Sequence, residues 1–346
     1  MGFERLLGQE DVVRKLLRVS RKPEKPHAFL FAGPEGTGKQ AAAVALAQAL
    51  NCREDPLGCE ICSHCRRIAE GNHPDVQLIE PEDGLVIKID QVRRLVRAIG
   101  LRPLEAAYKV YLIQDAEKMN IYAANSFLKT LEEPPPQVVI ILLSTKPSAL
   151  LPTIRSRCLR LNFRPLPTRL LAELLMQNRN VSPEDAELMA RAGGGSLARA
   201  VAWSEGENWL ERQRLLQFLA TRDTLLLPAV ADVWSRDEES VRCCLRVVSS
   251  WLRDCVATAG GIRDEELVNA DWVLDSPTGE KQATESRIGG LGVLGVEEAV
   301  FRIAAVGELL DQHLNLNRRL LLEMCLLSAI GVISGSAVAL PLTGRG

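Results

Sequence analysis

Cys52, Cys59, Cys62 and Cys65 put four thiols inside fourteen residues. A zinc ion takes four ligands in a tetrahedron, and two-residue gaps let one turn of chain wrap around it. The spacing predicts that Cys59, Cys62 and Cys65 come from a compact turn or helix start. Cys52 then closes the site from the end of the preceding helix. His64 is a spare imidazole that a four-thiolate set does not need. With no coordination position left open, the zinc is expected to be structural. The other cysteines (Cys158, Cys243, Cys244, Cys255 and Cys325) lack ligand spacing and read as core or near-core residues. An odd count of nine, clustered in this way, points to metal binding in a reducing cytoplasm over a disulfide framework.

A second chemistry is written in Gly33-Pro34-Glu35-Gly36-Thr37-Gly38-Lys39, between the strand-like HAFLF and the Ala-rich AAAVALAQAL. Strand, loop and helix in that order are what a Walker A phosphate loop requires. Gly33, Gly36 and Gly38 let backbone N–H groups converge on phosphate oxygens, and Lys39 would reach the terminal phosphates. Gln40 stands where the motif has Ser or Thr, so the hydroxyl that ligates Mg²⁺ is missing. The run KVYLI ends in Gln114-Asp115-Ala116-Glu117, with a neutral amide where a metal-holding carboxylate is needed. Asp115 and Glu117 read as a solvated helix start. These two losses predict a loop that keeps its shape without hydrolytic chemistry, and they leave ATP binding open.

Arginines form two further groups. Arg155, Arg157, Arg160 and Arg164 make a basic run that by itself reads as a solvated face. Helical spacing over Asp90–Arg97 buries Val92, Leu95, Val96 and Ile99 and turns Arg93, Arg94 and Arg97 outward. They could meet duplex phosphates or simply water. Few aromatics accompany them, which disfavours base stacking.

The elements that must carry these residues follow from apolar patterning. HAFLFAG (27–33), DVQLIEP (75–81), KVYLIQD (109–115) and QVVIILLST (137–145) alternate with helical stretches, which means crossover units and a parallel sheet buried on both faces. Beyond Pro165 the pattern turns helical. Ser182-Pro183 reads as an N-cap with Pro at the first helical position, and Gly193-Gly194-Gly195 closes that helix. Residues 273–296 read as a long loop.

Apolar residues make up 47% of the 346 and charged residues 25%, which excludes a disordered or collagen-like chain. Residues 1–165 carry 24 Lys and Arg against 19 Asp and Glu, and the remainder 18 against 25. That basic front and acidic rear imply different partners. The five Trp all lie beyond residue 200, where they suit helix packing against sibling subunits. Met1–Gln9 lacks the apolar core of a secretory leader. The uncharged run Met324–Gly344 approaches the length of a membrane span; its Gly, Ser and Pro residues favour a buried helix followed by a loose tail over a tail anchor.

LLGQE (6–10), HAFLFAGPEGTGK (27–39), the cysteine cluster, HPD (73–75), KVYLI (109–113), NSFLKTLEEPPP (125–136), LLPTIRSRC (150–158) and GGSLARA (194–200) together resemble the clamp-loader subunits of bacterial DNA polymerase III, of the AAA+ class. The resemblance covers residues 3–205 and, more weakly, the helical rear. It implies an α/β AAA+ P-loop domain over 1–165, with a zinc module at about 51–70. A small helical lid over 166–206 and an all-α collar for oligomerisation over 207–346 would follow.

Two kinds of relative compete. The gamma and tau motor subunits hydrolyse ATP with a complete Walker A and an Asp-Glu pair. The delta-prime kind keeps the architecture without that chemistry, and Gln40 and Gln114 favour it. Arg of the sensor 2 motif is also displaced, with Ala198 in its place and Arg199 one later. The resemblance implies that Arg157, in Ser-Arg-Cys, is an arginine finger reaching a neighbouring motor subunit's ATP site. The implied partners are gamma/tau, delta, the sliding clamp and primed DNA, within the polymerase holoenzyme that performs nucleotidyl transfer. A small-molecule kinase would leave the zinc and Ser-Arg-Cys segments unexplained, and a zinc-organised transcription regulator would need its basic residues concentrated.

Overall fold

The computed structural model describes residues 2–22, 25–82, 86–179, 181–221, 223–259, 267–269 and 317–334. The chain divides into two compact units, one of residues 1–171 with 194–198 and the other of 172–193 with 199–346. The first is an α/β unit. Its elements run α1 (Glu10–Arg21), β1 (Ala28–Ala32), α2 (Lys39–Asn51), α3 (Ser63–Ala69), β2 (Val76–Ile79), α4 (Ile89–Ile99), β3 (Lys109–Ile113), α5 (Ile121–Glu132), β4 (Val138–Ser144), α6 (Pro152–Arg155) and β5 (Leu159–Asn162). The five strands form one parallel sheet in the order β2-β3-β4-β1-β5, with Phe29 level with Ile141 and Ile113 level with Leu142.

Alternation along the strands supplies two cores. Phe29, Phe31, Val110, Leu112, Val139, Ile141 and Leu143 face the α1–α2 side and pack on Leu16, Leu46 and Leu50. Leu30, Tyr111, Ile113, Ile140 and Leu142 face the other side and meet Val92, Leu95 and Ile99 of α4 with Phe127 and Leu131 of α5. Strands buried on both faces read as continuous apolar runs, which is why β1, β3 and β4 stand out in the sequence. β5 does not stand out. It is an edge strand in which Leu161 alone is buried, and Arg160 and Asn162 give it polar text.

The second unit is helical among its described residues. α7 (Thr168–Arg179) begins in the first unit. α8 (Pro183–Ala192) starts as expected, with Ser182 Oγ accepting from Asp185 N at 3.1 Å. After α9 (Leu197–Trp203), α10 (Asn208–Thr221), α11 (Leu227–Trp234) and α12 (Glu238–Ala259), α13 (Arg318–Ser334) closes the described chain. Trp203, Trp234 and Trp251 are buried within this unit, so they serve its own core and do not offer a face to siblings. A fully buried Arg212 donates to Asn269 Oδ1 at 2.7 Å and stacks over Trp209, and Asn269 N donates to Asp254 Oδ2 at 2.7 Å. Cys244 and Cys325 are buried, as a core reading requires. α13 carries the first part of the uncharged run, with Leu322, Leu326 and Ala329 buried. No helix among the described residues is long and apolar enough to cross a membrane. The 273–296 loop, Trp272 and the tail beyond 334 lie outside the described residues.

Candidate functional site

The phosphate loop joins β1 to α2, as its sequence context demands. Gly36 and Gly38 adopt φ of +69° and +90°, which side chains rarely tolerate. A Cβ on Gly36 would also stand 1.9 Å from Ser196 Oγ. Leu197 N donates to Gly36 O at 3.1 Å, and Thr37 Oγ1 donates to Pro34 O at 2.8 Å. Gln9, which spacing alone does not single out, donates Nε2 to Thr37 O at 3.3 Å and to Arg164 O at 2.7 Å. Its Oε1 accepts from Arg164 N at 3.1 Å. The shape of the loop is therefore held by backbone and by two segments distant in sequence.

Lys39 is buried, and its Nζ donates to Gly33 O at 2.6 Å and Pro34 O at 2.5 Å. Burial draws its pKa down, partly countered by Glu117, Glu35 and Asp115. Gln40 is exposed and offers no hydroxyl to a metal.

At the end of β3, Gln114 N donates to Ile79 O at 2.9 Å, and Gln114 Oε1 is buried without a hydrogen-bond partner. Asp115 is left-handed (φ +45°) and accepts from Lys118 Nζ at 3.2 Å. Glu117 corrects the solvated-start reading. Its Oε1 accepts from Thr145 N at 2.9 Å, Thr145 Oγ1 at 2.6 Å and Lys146 N at 3.1 Å, tying the end of β3 to the end of β4. Burial pushes this carboxyl up, but the donors from Thr145 and its neighbours outweigh burial and hold it below its ordinary value. Sequence could not show this, because Thr145 lies 28 residues away.

The four cysteines come together. Cys52 follows α2, Cys59 lies in a turn with Glu60 at φ +61°, Cys62 caps α3, and Cys65 sits in its first turn. Their Sγ atoms all lie within 4.8 Å of one another, with Cys52 and Cys62 at 3.9 Å. Four sulfurs at about 2.3 Å from one tetrahedral ion stand about 3.8 Å apart, so the set fits a metal. Backbone amides support the sulfurs: Asp55 and Cys59 N–H on Cys52, Cys62 N–H on Cys59 and Cys65 N–H on Cys62, at 3.3–3.4 Å. The Cys62 amide draws the Cys59 thiol down to about 7, while burial pushes Cys65 up.

His64 is not spare. Its Nδ1 lies 2.9 Å from His73 Nε2, and Glu105 Oε1 is 3.8 Å from the same His73 nitrogen. Asp75 N–H donates to His73 Nδ1 at 3.1 Å, so that nitrogen carries no proton and Nε2 carries it. A metal-bound imidazole normally donates from its other nitrogen. Here that nitrogen accepts, so the trio is a directed hydrogen-bond chain and does not have the protonation of a second metal site. It docks the cysteine module, and the Asp75 carboxylate accepts from the amides of Leu104, Glu105 and Ala106 at 2.9–3.0 Å.

Arg157 leaves the short helix α6 and ion-pairs with Glu132 at the end of α5, with Nη1 donating to Thr153 O at 2.8 Å. On α4, Arg93, Arg94 and Arg97 are exposed opposite Val92, Leu95 and Ile99, as helical spacing requires. Arg93 lies 3.6 Å from Asp90, and Arg94 lies 3.5 Å from Glu82. The structure thus joins Lys39, Asp115 and Glu117 electrostatically and gathers the four free cysteines around a space that fits one ion; Arg157 belongs to neither group.

Among solved structures, a DNA polymerase III gamma subunit-related protein from Thermotoga maritima is 19% identical, with a TM-score of 0.49 over 92% of this chain and 99% of its own. The family described as DNA polymerase III, delta subunit, matches residues 8–167. The tau subunit of Bacillus subtilis is 33% identical over 58% of this chain, which spans 36% of that protein. The delta-prime subunit of Pseudomonas aeruginosa is 40% identical over 52% of this chain and 56% of its own length. The delta-prime subunit of B. subtilis is 37% identical over 231 residues, 65% of this chain and 69% of that protein. The chain belongs to the family of DNA polymerase III clamp-loader subunits. Both delta-prime and tau kinds of this family are represented among the relatives.

Proposed function

We propose that this protein is the delta-prime kind of clamp-loader subunit: it hydrolyses no ATP itself and lends Arg157 to a neighbouring gamma/tau-type subunit while the sliding clamp is placed on primed DNA in the cytoplasm. The observation that carries the reading is the phosphate loop. Its backbone is intact, yet Gln40 and Gln114 replace the two metal-handling side chains and Lys39 is engaged by the carbonyls of Gly33 and Pro34. Catalysis of phosphoryl transfer is mostly positioning and charge stabilisation, which a loop without a metal seat cannot supply.

Arg157 supports the other half of the reading. A planar guanidinium at the domain surface can stabilise charge on a transferring phosphoryl group, and fingers supplied in trans are worth roughly 10³–10⁵ in rate. Cys52, Cys59, Cys62 and Cys65 would hold zinc, which supplies only a structural cross-link here. Arg93, Arg94 and Arg97 would touch duplex phosphates. The pairing of Arg93 with Asp90 and of Arg94 with Glu82 lowers the net charge available for that contact.

The test is reconstitution with gamma/tau and delta partners, measuring primed-DNA-stimulated ATPase and clamp loading. Omission of this chain, or Arg157→Lys, is expected to cut both. Robust Mg²⁺-dependent ATP turnover by the purified chain alone overturns the proposal.

A further inference from the structure

Glu132 is the last residue of α5, and Pro134-Pro135-Pro136 follow one residue later. Prolines bar the helix from continuing, so Glu132 sits at its carbonyl end, where the macrodipole disfavours a carboxylate. The negative charge is met by Arg157, whose Nη2 donates to Glu132 Oε1. Nη1 donates to Thr153 O at 2.8 Å and to Ser156 Oγ at 3.4 Å.

The backbone beneath this pair is anchored independently. Ile154 is fully buried, Cys158 packs against the same apolar core, and Arg157 N donates to Ile154 O at 3.1 Å. The side-chain contacts engage three of the five guanidinium N–H donors and leave Nε–H and one Nη2–H. Two nitrogens held by separate acceptors fix the plane of the group. The ordering of a long side chain is then complete before any partner arrives.

We infer that Glu132 is the positioning residue for Arg157, holding its guanidinium in the orientation in which it meets a phosphate on a neighbouring subunit. The inference rests on the trans role proposed for Arg157 and adds a residue of the same chain on which that role depends. Glu132 is assigned no substrate contact. Its effect is transmitted through Arg157 alone.

The experiment is a mutant cycle in the reconstituted assembly, reading kcat and KM of primed-DNA-stimulated ATPase for Glu132→Ala, Glu132→Gln, Arg157→Ala and the double variant Glu132→Ala with Arg157→Ala. Loss of orientation is expected to lower kcat about tenfold for Glu132→Ala with KM unchanged. Glu132→Gln, which keeps an acceptor oxygen, is expected to recover part of that loss. The double variant should match Arg157→Ala.

An unchanged or raised kcat for Glu132→Ala, while Arg157→Ala remains impaired, overturns the positioning role and leaves the trans role standing. A further loss in the double variant also overturns it, because Glu132 would then act on the fold and not through Arg157. An unaffected Arg157→Ala assembly removes the trans role, and the inference falls with it.

Discussion

The cysteine module and the phosphate loop lie at opposite ends of the same helix, α2, and have kept different things. In the module every ligand is a side chain and all four are present, with amides aimed at the sulfurs. In the loop the cradle is backbone. It is held by glycine conformations and backbone hydrogen bonds, while Gln40 and Gln114 stand where we propose that metal-seating side chains are missing. A site made of main chain does not depend on the side chains beside it, because glycine conformations and amide positions serve the fold whatever stands there. A site made of side chains has no such reserve.

Removing the metal should give the largest effect. Cys65→Ser is expected to lose bound zinc and to cost at least about 4 kcal/mol of stability, since ligand binding and folding of such a module are one equilibrium. Metal content and denaturant unfolding measure both. Full zinc occupancy in that variant would break the contrast.

Gly36→Ala comes next. It meets Ser196 and a left-handed backbone together, and should cost about 2 kcal/mol by denaturant unfolding. Exposed Gln40→Ala should stay within about 0.5 kcal/mol of the parent. Equal costs would show that side chains, not backbone, hold the loop.

Restoring the lost chemistry sharpens the comparison further. Gln40→Thr with Gln114→Asp is expected to raise Mg²⁺-dependent ATP affinity about tenfold by titration calorimetry, worth about 1.4 kcal/mol. No gain with Mg²⁺ would mean that the cradle itself has been lost.

The smallest effect concerns Glu117, whose folded pKa lies below its ordinary value of 4.5. Its contribution is present above the unfolded pKa and is lost as pH falls through the lower folded value. Glu117→Gln should therefore destabilise at neutral pH by less than about 1 kcal/mol, allowing for solvent screening. It should also flatten the acid limb below pH 4.5. An unchanged acid limb would show that the tie between β3 and β4 carries no charge dependence.

Four of the five strands were legible because each is a run of apolar residues or alternates cleanly. β5 was not, since an edge strand with one inward residue has the text of a polar loop. The cysteine ligands and the phosphate loop were legible because their chemistry is local, confined to fourteen residues and to seven. Gln9 and Glu117 were not legible as parts of a site. Their partners lie 28 and 155 residues away for Gln9, and 28 and 29 away for Glu117. Trp203, Trp234 and Trp251 looked like material for a partner surface and proved to be core, because composition counts aromatic residues without saying which side of a helix is already covered.

By itself the sequence determined which chemical groups each site has to offer: four thiols at short spacing, a glycine-rich turn of backbone, and the amides of Gln40 and Gln114. Identity and short spacing suffice for that, since ligand type and local backbone freedom are properties of residues. Only the tertiary structure decided which charges meet. It drew Lys39 onto the carbonyls of its own loop, turned Glu117 inward to Thr145, ran a single tautomer from Asp75 through His73 to His64, and set Arg157 against Glu132. Those pairings depend on distances between segments far apart in the chain, and such distances exist only once the sheet has assembled.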